Sequence, residues 1–333
     1  MYLISALFAV VVGPWSAVNS APYAAVVMDA RTGKIYHSRN ADARLHPASL
    51  TKMMTLYVAF QAIEQNEISL DSYVTVSRNA SSEPPSKLWL RKGQKIQLRY
   101  LIRAASVKSA NDAATAIGEA ISGSEAAFAK RMTRTARAMG MNRTTFKNAH
   151  GLTRSGHLST ARDMTLLGRH MIYDYPQYYN LFSRRSANAK IRRVNNTNRK
   201  FLAAYRGADG IKTGYTRAAG FNLVASAERG GERIIATMFG GSSTAARNNR
   251  VAKLLDMGFK RAPTTAKLQR PSPPPYNENQ NEHKGKTVRL ITAVKRSLRP
   301  KVRPFTSQTT LPEPLIASTL GKQIQPEDIL IAL

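Results

Sequence analysis

Ser49 and Lys52, in "HPASLTKMMT", stand three residues apart where a polar turn gives way to a long apolar run. Three residues is close to one turn of helix, so both side chains leave the same face and the lysine nitrogen can reach the hydroxyl. A serine hydroxyl attacks a carbonyl only with a base to take its proton. A lysine whose charged form is disfavoured by burial or by a neighbouring cation can be that base. A pair at this spacing is common, and alone it reads as an ordinary helix start marked by Pro47 and Ser49. Further along, "KSANDAA" puts Ser109, Ala110 and Asn111 in a break between two helical runs, where a hydroxyl and an amide can face a cleft instead of packing. "GIKTGYT" then sets Lys212, Thr213 and Gly214 on a strand-like run, where alternation sends Lys212 and Gly214 to one face and Gly214 leaves room for a substrate backbone.

The elements that must position these residues follow from periodicity. "YAAVVMDA" and "KIYHSRN" are strand-like runs around "RTG", a hairpin signal with Gly33 free to take positive φ. From Pro47 to about Asn66 the apolar residues cover so much of the helical wheel that a buried central helix is expected. Polar loop material, including "SSEPPS", follows to about Gln94. "LRYLIRAASV" and "NDAATAIGEAISG" read as two helices, and "SEAAFAKRMTRTARAMG" as a third, with Ser124 as N-cap and Gly140 as stop. "DGIKTGYT", "FNLVASAE" and "RIIATMFG" read as sequential antiparallel strands, and "STAARNNRVAKLLDMGFKR" as a closing helix. Strands from both ends of the chain with helices between them predict an α/β sandwich on an antiparallel sheet.

The 333 residues, 43% of them hydrophobic, suffice for a substantial core. The absence of cysteine excludes disulfides, thiolate metal sites and cysteine nucleophiles. "LISALFAVVVG" followed by "PWSAVNSAP" has the length and small-residue flank of a cleavable leader, so residues 1–21 are assigned as a signal peptide and the chain as exported, to the periplasm or cell envelope. That run is too short to span a bilayer and no longer one occurs, so no transmembrane helix is expected. Residues 263–333 are rich in Pro, Asn, Gln and charge and are read as a mostly disordered basic tail. Of the net charge of +30, the tail holds 11 Lys/Arg against 5 Asp/Glu, or +6, which leaves +24 on residues 1–262. The attraction to polyanions therefore belongs mainly to the folded body.

S-x-x-K, S-x-N and K-T-G in this order form the motif set of penicillin-binding proteins and class A β-lactamases. With "VKSANDAATAIGEAISGSEAAFAKRM", "NAHGL" and "NTNRKFLAAYRGADGIKTGYTRAAGFNLVASAER", the chain resembles the low-molecular-mass penicillin-binding proteins, the serine D-alanyl-D-alanine carboxypeptidases of peptidase family S11, over residues 22–262. The resemblance implies a β-lactamase/transpeptidase-like fold: a five-stranded antiparallel sheet flanked by helices, plus a mainly helical subdomain. It implies that Ser49 attacks the penultimate D-alanine carbonyl of a peptidoglycan stem peptide and that Lys52 takes its proton. Ser109 relays a proton toward the leaving amine, and Asn111 orders Lys52 and the substrate amide. Lys212 and Thr213 receive the terminal carboxylate, and backbone N–H groups of Ser49 and Tyr215, beside Gly214, form the oxyanion hole. Water releases the product, and a β-lactam traps Ser49 as a covalent inhibitor. No cofactor is implied.

Competing readings have distinct signatures. A class A β-lactamase needs a glutamate to activate the deacylating water, and no Glu occurs between Glu125 and Glu228, so Asp163 or Asp174 would have to take that part. D,D-endopeptidase action on cross-links uses the same residues and stays open. A non-catalytic basic wall-binding protein fits the charge, but no nucleic-acid recognition module appears and nucleic acid is not an expected partner. The histidines and carboxylates show no metal-ligand spacing, so no metal is expected. His150 in "NAHGL" reads as part of a tight loop, and Trp89 as packed against the body. Family members often carry a second β-rich domain and an amphipathic membrane helix; here the segment after 263 shows neither, and basic stretches such as "KRSLRPKVRP" are expected to hold the protein on anionic membrane or wall polymers.

Overall fold

The structure is a computed structural model that describes residues 21–276; the leader and most of the basic tail, including "KRSLRPKVRP", lie outside the described residues. In chain order the elements begin with β1 (Ala24–Asp29), β2 (Ile35–Arg39), α1 (Thr51–Glu64), β3 (Tyr73–Thr75), α2 (Arg78–Ser82), β4 (Lys95–Gln97), α3 (Leu98–Arg103), α4 (Asn111–Ser122) and α5 (Glu125–Ala138). They continue with α6 (Ala161–Asp174), α7 (Pro176–Tyr179), β5 (Ser186–Asn188), β6 (Arg193–Asn195), α8 (Arg199–Ala204), β7 (Ala208–Thr216), β8 (Gly220–Arg229), β9 (Glu232–Gly241) and α9 (Thr244–Arg261).

The main sheet has the order β2-β1-β9-β8-β7, antiparallel throughout, so the first and last strands of the chain pair at its centre. Alternation divides its side chains between two cores. Ala24, Val26, Val224 and Ile235 join a large cluster with α1, α4 and α6 on one face. Ala25, Val27, Leu223, Ala225 and Ile234 meet Val251, Leu254 and Leu255 of α9 on the other. The sheet thus lies between helices, as the reading from both chain ends predicts.

Helix α1 is buried from Thr51 to Ala62, which explains an apolar pattern with no clean polar stripe. A short 3-10 turn, Ala48–Leu50, leads into it, so Ser49 sits just ahead of the regular helix. Ser124 caps α5 as expected, its side chain accepting from the Ala127 N–H. Differences lie in two stretches: β3 and α2 fall within the segment read as loop to about Gln94, with β4 directly after it, and α6, α7 and α8, with β5 and β6, lie within residues 161–204, to which the sequence reading assigned no element. Helix α6 is capped by Thr160, whose hydroxyl accepts from the Asp163 N–H, and it packs Gly168 against Ile211, Val224 and Ile235. Residues 263–276, the start of the stretch read as tail, run without regular structure along the body. Arg31 donates to the carbonyls of Pro263 and Thr264, and the Gln269 N–H donates to the Arg31 carbonyl at 2.8 Å. Residues 277–333 are outside the described residues.

Candidate active site

The elements deliver the predicted residues to one place. Lys52, the second residue of α1 and fully buried, directs its Nζ to three acceptors: Ser49 Oγ at 3.2 Å, Asn111 Oδ1 at 2.7 Å and the His150 carbonyl at 2.8 Å. An ammonium has three protons to give, and all are used. When Lys52 loses one, two N–H bonds still hold Asn111 and His150, and the lone pair is left for the Ser49 hydroxyl. Burial pushes the Lys52 pKa well below 10.5 and the Lys212 charge pushes it further, while Glu83 and Asp112 pull it back. The Lys52 amine is thereby biased toward its neutral form, the form a base would need.

Asn111 opens α4 and is itself fixed. Its Nδ2 donates to the Pro84 carbonyl at 2.8 Å and its backbone N–H to the Ser86 carbonyl at 2.7 Å. One Nδ2 hydrogen is spent inside the protein, which leaves the second for a substrate carbonyl. The buried Asp112 accepts from the N–H groups of Leu88 and Leu90, so the 83–90 segment is tied to the first turn of α4.

Ser109 ends a π-helical turn with φ of 64°, a left-handed conformation that few non-glycine residues adopt. That break turns its hydroxyl toward β7, where Lys212 Nζ donates to Ser109 Oγ and to the Thr213 carbonyl, both at 2.9 Å. Lys212 is 1% exposed; burial lowers its pKa to about 7, with the charge of Arg247 acting in the same direction. Thr213 Oγ1 donates to Thr197 Oγ1 at 2.8 Å, and Tyr215 stands 56% exposed at the rim with its ring on Phe221.

Close approaches of backbone hold the nucleophile turn. A Cβ on Gly214 would lie 2.9 Å from the Pro47 carbonyl oxygen and 3.1 Å from the Ser49 nitrogen, so this glycine lets β7 press against the nucleophile turn, where the sequence reading placed a substrate backbone. On Gly151, at φ of 92°, a Cβ would lie 1.9 Å from the Ala48 carbonyl oxygen. Asn222 donates to the carbonyls of His46 and Pro47 and accepts from the Gly240 N–H, joining the same turn to the sheet.

Several of these residues carry no motif. Arg247, at the start of α9, is buried and contributes its charge beside Lys212. His150 Nε2 lies 3.3 Å from both Glu83 Oε2 and Glu125 Oε1, while its Nδ1 accepts from the Leu152 N–H. Spacing along the chain indicates no metal centre, yet these three groups bring potential ligand atoms within 4.8 Å of one another. They also satisfy each other, with Thr115 and the Ala149 N–H completing the carboxylates. His150 does belong to a tight loop, but its carbonyl also serves Lys52. Trp89 differs from expectation: it is 57% exposed, with Lys87 Nζ 5.0 Å from its ring centre. The Asp163 carboxylate accepts from the Thr144 hydroxyl and the Arg143 N–H, and Asp174 is engaged by Tyr57 and His170, so both carboxylates weighed as water activators are occupied in other interactions.

Residues 15–243 match the family described as D-alanyl-D-alanine carboxypeptidase, peptidase S11. The chain is 36% identical over 267 residues to D-alanyl-D-alanine carboxypeptidase DacF of Bacillus subtilis, covering 79% of this chain but only 66% of that protein's length. Its structure is similar to that of D-alanyl-D-alanine carboxypeptidase DacD from Francisella tularensis, with a TM-score of 0.68 and 34% identity over 76% of this chain and 73% of that one. It is also similar to penicillin-binding protein D2 from Listeria monocytogenes in its ampicillin-bound form, with a TM-score of 0.62 and 32% identity over 71% of this chain and 96% of that one.

Proposed function

Because the chain belongs to the D-alanyl-D-alanine carboxypeptidase family, we propose that it removes the terminal D-alanine from peptidoglycan stem peptides through an ester on Ser49. The observation that carries this reading is the pairing of two buried amines with two hydroxyls, Lys52 with Ser49 and Lys212 with Ser109. Neutral Lys52 accepts the Ser49 proton as Oγ bonds to the carbonyl carbon of the penultimate D-alanine. Backbone N–H groups of Ser49 and Tyr215 receive the oxyanion, a type of contact worth about 3 kcal/mol per donor. The C–N bond breaks as the leaving amine takes a proton through Ser109, and free D-alanine departs. Water, its proton drawn by the same amine network, then cleaves the ester and restores Ser49.

The substrate ends in a carboxylate, and Lys212 with Thr213 supplies a cation and a hydroxyl for it; Arg247 stands behind them. A β-lactam, with its carboxylate and strained amide, enters the same way and acylates Ser49. The family's substrate is wall polymer, so the apolar stretch at residues 3–13 is assigned to export into the cell envelope. Among the described residues no helix is long and apolar enough to cross a membrane.

Mass spectrometry of the penicillin-treated protein tests the reading. One added penicillin mass on the peptide containing Ser49, absent in Ser49→Ala, is expected together with D-alanine release from a D-Ala-D-Ala peptide. An unlabelled wild-type protein that releases no D-alanine refutes it.

A further inference from the structure

A groove of about 630 Å³ lies between α5 and the 145–155 segment, apart from the nucleophile. One wall carries Lys130, Arg134 and Arg137, at spacings of four and three residues along the exposed face of α5. The other carries the exposed Lys147 and Arg154, and none of the lining residues is acidic. Like charges at such spacings repel one another along a helix face, and the concavity they line with Lys147 and Arg154 is electropositive. The far wall leads toward the catalytic cleft: Thr153, next to Arg154, donates its hydroxyl to Thr216 at 3.3 Å, and Thr216 ends β7 immediately after Tyr215.

We propose that this groove binds carboxylates of a polymeric substrate, on stem peptides neighbouring the one being cut, and so favours intact wall polymer over small peptides. The proposal rests on the carboxypeptidase reading for the identity of the substrate. The shape favours a strand: cations on two facing walls surround a narrow polyanion, whereas a bilayer is flat and meets only one wall. Guanidinium groups from both walls suit planar carboxylates, which they bind through paired N–H donors. Steering by such a charged concavity raises encounter rates and fades with salt.

The test compares kcat/KM on isolated peptidoglycan sacculi and on a short synthetic peptide ending in D-Ala-D-Ala. The variant is Lys130→Gln/Arg134→Gln/Arg137→Gln, which keeps good helix formers on α5. A matched variant neutralises exposed cations of α9 on the opposite face of the sheet, Arg250→Gln/Lys253→Gln/Lys260→Gln. The expected result is a loss of roughly tenfold or more on sacculi at low salt, with the short peptide unaffected and the α9 variant close to wild type. Equal losses on both substrates, losses as large from the α9 variant, or no loss on sacculi would overturn the proposal. Cosedimentation of the Ser49→Ala protein with sacculi, with and without the α5 substitutions, separates the two readings. Binding that depends on α5 supports the groove even where no D-alanine is released, and binding indifferent to α5 refutes it even in an active carboxypeptidase.

Discussion

Lys212 donates to Ser109 Oγ at 2.9 Å across 103 residues of sequence, joining the last edge strand of the sheet to the break between the π-helical turn and α4. The bond brings a buried amine and a hydroxyl to one point. Under the proposed mechanism it makes the Ser109 relay sensitive to whether Lys212 is charged.

The pH profile should show this. In the free protein Lys212 loses its proton near pH 7, while Lys52 must be neutral to act and reaches that state well below pH 10.5. Under the proposed mechanism, raising the pH both frees Lys52 to act as base and discharges Lys212, the proposed carboxylate-binding cation. The alkaline limb of kcat/KM, which reports the free enzyme, is expected near 7, and Lys212→Arg is expected to move it upward because a guanidinium stays charged. An alkaline limb unchanged in Lys212→Arg would assign it to another group.

Gly151→Ala is expected to be severe. The added methyl meets the Ala48 carbonyl at 1.9 Å, and the residue already holds φ of 92°. Backbone cannot yield there without displacing the Ser49 turn, so a loss of about 2–4 kcal/mol in unfolding free energy is expected together with slow acylation. Denaturant unfolding and penicillin labelling rates measure the two effects.

Acid stability should depend on Glu83. Burial works to raise its pKa, but hydrogen bonds from His150 and Thr115 and the nearby charges outweigh it, and the net value falls below 4.5. A carboxylate depressed by folding adds stability that is complete above its unfolded pKa and disappears as pH drops through the folded one. The melting temperature of the wild type is therefore expected to fall below about pH 4.5 more steeply than that of Glu83→Gln. Parallel melting curves across that range would count against the linkage.

The 263–276 strap should contribute to the body. Arg31 lies in a buried pair with Asp29 at 2.9 Å and completes its donors on the Pro263 and Thr264 carbonyls. A chain ending at 262 leaves those donors unfilled, and it is expected to be less stable than one ending at 276 by about 1–3 kcal/mol. Equal unfolding midpoints would show the strap to be passive.

The legible part of this protein is the part with local chemistry. Ser49 and Lys52 announce themselves through helical spacing, and Lys212 and Gly214 through strand alternation, because each pair lies within a few residues of continuous helical turn or strand. Asn222, Arg247 and Glu83 carry no such mark: they act through carbonyls and charges of residues far along the chain, which only the sheet register and loop packing bring near. Strands β3 to β6 have three residues each, too few for alternation to register. Helix α6 was readable in principle, since Thr160 and Asp163 mark its start. Trp89 misleads because a large ring suggests burial, yet its φ of 68° turns it outward beside Lys87.

Gly151 and Gly214 press on the nucleophile turn as backbone meets backbone, without an intervening side chain to trim or enlarge. A site clamped in this manner offers no gradual route for adapting to a new inhibitor at its centre. Under the proposed function, altered reactivity toward a β-lactam is expected instead from exposed positions such as Tyr215, next to Gly214, which can be exchanged while the clamp stays intact.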